Sequence, residues 1–351
     1  MQTKSEIMKR LFVILALVAM IFSSCSNKVD LYNNDGDTTI VYAMLDSNAD
    51  TNFFKITKSF VGDASQLAYD YNVCNYKYDE IDVTFSGVFD GNNQSQTVAL
   101  DTISIWIPYD ENATFYSGCY QTYYYTTKKL KEDEEYTLNV LRKADNVLTT
   151  VKSTIINDFS VREPNTPIAG MKFKDARRST VKWKVPEFPC LSTAAYFEIT
   201  GCFHYSERMP GSSETVHRTM EWTFGADKTE NFYKTNNNDI YYAVNFNPSS
   251  LYDVMRYNTY LKDNSPAGVY REFEDFEIKV SALGEELYNY YLVTNSTSAI
   301  QDVPNYTNVE NGMGLMSSRI SKSRFYKIEI LSREYVVELF PEYGFYVDPN
   351  R

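Results

Sequence analysis

The sequence predicts a mainly β chain built as two tandem β-sandwich domains, the second decorated with short helices. Strand-length runs that alternate apolar and polar residues carry that reading, together with the turn chemistry spaced between them. Length supports it, because 351 residues suit about two domains of ordinary size. With 43% hydrophobic and 15% aromatic residues the chain can bury real cores, which excludes wholesale disorder. The net charge of −12 leaves no basic field to hold phosphate backbones, so nucleic acid is not expected as a partner.

Residues 1–24 read as an export address. Lys9 and Arg10 precede an uncharged apolar run from Leu11 to Phe22, which stops at Ser23-Ser24-Cys25. The run is shorter than the about 20 residues a spanning helix needs. Its end resembles the lipobox of bacterial lipoproteins, with Phe22 where leucine is usual. That resemblance implies cleavage before Cys25, diacylation of its thiol and anchorage in the outer membrane facing the cell surface; ordinary secretion is the other reading. Polar residues 25–37 then form a tether. Cleavage removes more basic than acidic side chains, so the body becomes more acidic still and should stand off anionic headgroups.

The first domain is expected over residues 38–160. Strands are predicted at 38–45, 52–61, 81–89 and 97–107, with the turn Asp90-Gly91-Asn92-Asn93 between the last two. After the charged turn at 131–135, Tyr136, Leu138 and Val140 alternate along a further strand. This pattern resembles the tyrosine corner of immunoglobulin-like sandwiches, which implies that the Tyr136 phenol bonds to backbone upstream. Asp145-Asn146 turns the chain into a returning strand at 148–156.

Residues 161–167 carry two prolines and read as a linker, leaving 168–351 for the second domain. There, segments 180–186 and 196–200 resemble the B and C strands of a fibronectin type III sandwich, with Trp183 in the core. A hairpin pairs 196–206 with 214–224, and matching apolar faces sets Phe197 against Phe224, Ile199 against Trp222, Phe203 against Arg218 and Tyr205 against Val216. A strand at 239–246 is followed by an amphipathic helix from Asn247-Pro248 to residue 261, with Leu251, Val254, Met255 and Asn258 on one side. A strand at 273–283, a helix at 285–292, a long polar loop and a closing strand at 327–331 complete the reading.

Chemistry-bearing residues are few. In the hairpin register above, His204 and His217 face each other near Glu198 and Glu221, as candidate metal ligands. Two ligands fall short of a closed site, so no metal is expected. Neither G-x-S-x-G, H-E-x-x-H nor a glycine-rich phosphate loop occurs, so no catalytic residue and no cofactor are assigned. Cys74, Cys119, Cys190 and Cys202 permit disulfides; Cys74–Cys119 and Cys190–Cys202 are favoured because each stays within one expected domain, and free buried thiols are the alternative. Tyrosine is in excess, with 30 residues. The run Tyr123-Tyr124-Tyr125 cannot face a core with every ring, because strand side chains alternate. These three, with Tyr241 and Tyr242, are the candidate ligand contacts, against the plain alternative of rings packed on sheet faces.

Near the C-terminus, Tyr306-Thr307-Asn308-Val309-Glu310-Asn311-Gly312-Met313-Gly314-Leu315-Met316-Ser317-Ser318 resembles a hallmark of Bacteroidota-type surface lipoproteins, and the segments 39–45 and 53–63 resemble their opening strands. Gly312 and Gly314 are expected to let the backbone turn or approach a neighbour closely before a strand. The resemblance implies an outer-membrane lipoprotein, often encoded beside a TonB-dependent transporter. The expected function is therefore noncatalytic: capture of a glycan or peptide ligand for such a transporter, or an accessory role beside it. An adhesin-like interaction module is the alternative, and a carboxylate- or metal-dependent hydrolase the third reading.

Overall fold

Alternation along each strand decides what becomes core. In the run Thr39–Leu45 the side chains of Val41, Ala43 and Leu45 are buried while Tyr42 and Met44 stand in solvent. The computed structural model describes residues 38–59, 74–77, 79–108, 119–165, 170–176, 178–185, 193–228, 232–237, 239–295 and 306–348. Along them run β1 (Thr39–Leu45), β2 (Asn52–Lys58), β3 (Ile81–Gly87), β4 (Gln96–Ala99), β5 (Asp101–Ile107), β6 (Cys119–Thr126), β7 (Glu135–Arg142) and β8 (Val147–Thr154). Next come β9 (Ser160–Glu163), β10 (Ser179–Val185), β11 (Tyr196–Arg208), β12 (Val216–Lys228), β13 (Tyr233–Lys234) and β14 (Ile240–Phe246). Helices α1 (Ser250–Tyr257) and α2 (Thr259–Asp263) lead to β15 (Tyr270–Leu283), α3 (Glu285–Asn295), β16 (Val309–Glu310) and β17 (Gly312–Tyr326). The helix α4 (Ile330–Leu339) and β18 (Phe345–Tyr346) follow.

The expected mainly β character holds, with several sheets and few helices. A nine-stranded sheet runs β12-β11-β15-β17-β1-β2-β6-β5, with β18 also on β15. A five-stranded sheet, β16-β8-β7-β3-β4, shares one core with part of it: Val41, Leu45, Phe54 and Ile56 meet Phe85, Leu138, Val140 and Val151. A four-stranded sheet, β13-β14-β10-β9, shares a second core, where Phe197, Phe203, Ile278 and Val280 meet Trp183, Tyr242 and Phe246. Leu251 and Met255 of α1 and Val336 of α4 join that second core.

β17 serves both cores. Its first half pairs in parallel with β1, from Gly312 opposite Thr39 to Ser318 opposite Leu45. Its second half pairs antiparallel with β15, from Arg319 to Tyr326. Met316 is accordingly in the first core and Ile320 in the second. The expected division at 161–167 does not coincide with a break between sheets, because Val161, Arg162 and Glu163 belong to β9 and the first core takes Val309 and Met316 from far downstream. From Thr38 onward the chain forms one compact unit.

The glycine expectation is met at this junction. Gly314 has φ +117°, and a Cβ there would lie 1.9 Å from the Val41 carbonyl oxygen. Only glycine fits so close to the partner backbone. The tyrosine corner is also present: the Tyr136 hydroxyl accepts from the Lys131 N–H at 2.8 Å and donates to the Val88 carbonyl. Its ring is fully buried and stacks on Phe85 at 5.2 Å. Tyr136→Phe keeps the ring and strands both backbone groups, so it should cost about 1–3 kcal/mol in urea or thermal unfolding.

In the second core Trp183 is fully buried, as expected, and stacks on Tyr242 at 5.7 Å. Other expectations are corrected. The β11–β12 register sets Phe203 opposite Met220 and Tyr205 opposite Arg218, with a bulge between Ile199 and Thr200 that a uniform face-matching argument does not contain. The helix expected through residue 261 breaks at Asn258, whose extended ψ of 114° ends α1 and whose side chain caps α2 by accepting from the Leu261 N–H at 2.9 Å. The closing strand expected at 327–331 is absent: Ile330 and Leu331 begin α4, and much of the expected polar loop is β17. Its small polar residues sit inside because their hydroxyls are used. Ser318 Oγ accepts from the Ile156 N–H at 3.2 Å, and Ser317 Oγ accepts from the Leu287 N–H at 3.1 Å.

One ion pair is buried outright. Arg271 and Glu207, side chains 0% and 2% exposed, pair at 2.6 Å between adjacent strands β15 and β11. All guanidinium N–H groups have acceptors: Glu207 from Nε and Nη2, Asn264 O from Nη2 at 2.7 Å, and Ser265 Oγ and Tyr343 O from Nη1. Glu207 accepts in addition from Tyr260 at 2.6 Å and Arg218 at 3.1 Å.

Candidate binding surface

The outer face of the β17-β1-β2-β6-β5 stretch carries a group of large apolar side chains although it points away from the core. Register places Tyr42 beside Lys55, Phe53 beside Tyr125 and Tyr123 beside Ile103. Tyr42 is 54% exposed, Phe53 42% and Ile103 43%. Met44, Ile105 and Met313 are also exposed on these strands. The rings are mutually braced, Phe53 lying 6.4 Å from Tyr123 edge-on and 6.1 Å from Tyr125. Lys55 Nζ lies 4.7 Å over the Tyr123 ring. A shallow groove of about 400 Å³ runs between Tyr42, Met44, Phe53, Lys55 and Tyr123.

Such a face offers flat apolar area with hydrogen-bonding tips at low entropy cost, the composition found at the centres of recognition surfaces. It contains two of the expected contacts, Tyr123 and Tyr125, both half-buried. The third, Tyr124, is corrected: alternation turns it into the first core, so it is closed to a ligand. Tyr42 and Phe53 escape sequence reasoning because β1 is apolar on both faces and β2 sets Phe53 directly beside Phe54. An apolar residue at the solvent parity of a half-buried strand is the mark that finds them.

Tyr241 and Tyr242 divide in the same way. Tyr242 is fully buried against Trp183 and is no ligand contact. Tyr241 faces outward, stacked on Tyr233 at 5.9 Å, with Lys182 Nζ 4.7 Å over its ring.

The histidines do not meet. The observed register places His204 opposite Thr219 and His217 opposite Ser206. His204 bonds to Thr219 at 2.8 Å and to Glu277 at 3.0 Å, while His217 bonds to Glu274 at 2.6 Å. Among the described residues no group of three or more His, Cys, Asp or Glu side chains is arranged to hold a metal ion. The Cys190–Cys202 bridge is corrected as well: Cys202 is a buried free thiol, its Sγ 3.5 Å from Glu221. Burial, then the nearby Glu277 carboxylate, pushes this thiol up to about 12, which makes it a poor nucleophile. Cys74 is buried; the Cys119 side chain, Cys190 and the lipidation residue Cys25 lie outside the described residues. Among the described residues no helix is long and apolar enough to cross a membrane. No protein-family model matches the chain, and no curated protein matches it.

Proposed function

We propose that this chain is a noncatalytic surface lipoprotein, anchored in the outer membrane through a lipid on Cys25, which serves a TonB-dependent transporter as its ligand-capture or accessory subunit. The two cores are then immunoglobulin-like and fibronectin-type-III-like sandwiches joined through β17. The observation that carries the reading is the aromatic outer face on adjacent strands, with Tyr42 and Phe53 exposed and Tyr123 and Tyr125 half-buried beside them. Exposed apolar faces of this kind on a folded protein mark interaction sites. The export address ending at Cys25 and the glycine-containing segment 306–318 support the location and the partner class.

The test is copurification from outer membranes in mild detergent. The unaltered chain should bring a transporter barrel with it, and mass spectrometry should find an acylated Cys25 at its N-terminus. The double variant Phe53→Ser with Tyr125→Ser removes two anchors worth about 2 kcal/mol or more each at a hot spot. It should lose the barrel while its melting temperature moves by only about a few degrees. An unacylated N-terminus, or a barrel still held by the double variant, overturns the reading. A chain that brings no barrel but adheres to other cells replaces it with the adhesin.

A further inference from the structure

A second aromatic site lies on the other part of the long sheet, separate from the face assigned to the proposed partner. Strands β11 and β12 contribute Tyr196, Glu198 and Thr223, and α3 contributes Tyr288, Tyr291 and Leu292, around a cleft of about 530 Å³. That volume lies within the range of small-molecule sites, about 300–1,000 Å³. Tyr288 stacks on Tyr196 at 4.8 Å with the ring planes 16° apart, which fixes both side chains before any ligand arrives. Tyr290 and Tyr291 pack on the buried cluster of Leu283, Leu287 and Leu315, so the α3 wall is held from behind.

Among the described residues that line the cleft, Glu198 is the one that carries a charge. Glu198 accepts a hydrogen bond from Thr223 at 3.0 Å, and among the described residues it has no ion-pair partner. No basic residue occupies the last turn of α3, on which Tyr291 and Leu292 stand. Tyrosine faces add their negative quadrupoles. An anion is repelled from such a cleft, and a neutral guest leaves the Glu198 charge unmatched. A cation with an aliphatic shell satisfies both parts at once, with its charge toward Glu198 and its methyl or methylene groups against the rings.

We propose that this cleft binds a small alkylammonium cation. The experiment is calorimetric titration of the full chain in mild detergent with choline, and in parallel with dimethylbutanol, in which carbon replaces the quaternary nitrogen. Choline should bind at least about ten-fold more tightly than its neutral counterpart. Glu198→Gln should weaken choline several-fold and leave dimethylbutanol unchanged, and Tyr288→Ala should weaken both. Absence of choline binding, equal binding of the two compounds by the unaltered chain, or choline affinity unchanged in Glu198→Gln overturns the proposal. The comparison of two ligands on the unaltered chain needs no variant to fold, and it stands or falls independently of Cys25 and of the transporter.

Discussion

Arg271→Met should lower the free energy of unfolding by about 3–5 kcal/mol. The loss comes less from the missing attraction than from what is left behind. Glu207 stays 2% exposed with its principal counter-charge gone, and the carbonyls of Asn264 and Tyr343 lose donors inside the fold. Arg271→Lys should recover little, because an ammonium is a point charge and cannot fill the planar set of acceptors that the guanidinium meets. Replacing both partners, Arg271→Met with Glu207→Leu, should cost less than Arg271→Met alone, since no buried charge then remains unpaired. Urea unfolding at constant slope reads all three variants.

The pair also sets an acid dependence. Burial alone raises the Glu207 carboxyl, but hydrogen bonds from Tyr260, Arg271 and Arg218 outweigh burial and hold it below the ordinary glutamate range. A carboxyl lowered in the folded state contributes stability that is fully present above its unfolded value. That contribution is lost as pH falls through the lowered folded value. In Arg271→Met the same carboxyl loses its main counter-charge and burial dominates, so protonation relieves the variant. The stability gap between the unaltered chain and the variant should therefore narrow on acidification.

Gly314→Ala is the second large effect, about 4 kcal/mol or more. A residue with a side chain disfavours φ +117°, and the new Cβ would overlap the Val41 carbonyl, which is backbone and cannot swing away. Relief requires β1 and β17 to part, which loosens the seats of Ala43 and Met316 in the first core. Gly91→Ala is the control. Its φ is +76° but nothing lies within 4 Å of the added Cβ, so it should cost about 1 kcal/mol. If the two substitutions cost the same, close approach at β1–β17 is not what selects glycine at Gly314.

Much of the first core was legible because its strands alternate cleanly and its turns use Asp, Asn and Gly. Residues 39–45, 52–58, 81–87, 135–142 and 147–154 all fall within or beside the expected runs, and Tyr136 and Trp183 occupy their expected places. The single run expected at 97–107 is two strands that change sheets at Leu100, a corner invisible to alternation. β17 was legible only at its start, after Gly314; its continuation was not, because Ser317 and Ser318 are small polar residues, yet they are buried and answered by backbone donors contributed from residues 156 and 287. The hairpin register failed at the turn, where Glu207 pairs with Val216 and sets the ladder two residues from the face-matched one, which removes the opposition of His204 and His217; the bulge at Ile199 shifts only the far end. Within the candidate surface, alternation alone separates Tyr123 and Tyr125 from Tyr124. Nothing local distinguishes Phe53 from Phe54 until pairing shows which faces solvent.

The shared strand β17 also sets an order of events in folding. Residues 38–154 supply most of the first core, but the parallel neighbour of β1 is made of residues 312–318, far downstream in the chain. Until they dock, β1 has one exposed edge and its core lacks Met316, so the strands of residues 38–154 must wait, open and adhesive, for β17. Deleting β17 should therefore damage the first core although its other strands remain, and a holdase that shields unpaired strand edges should raise the yield of folded protein.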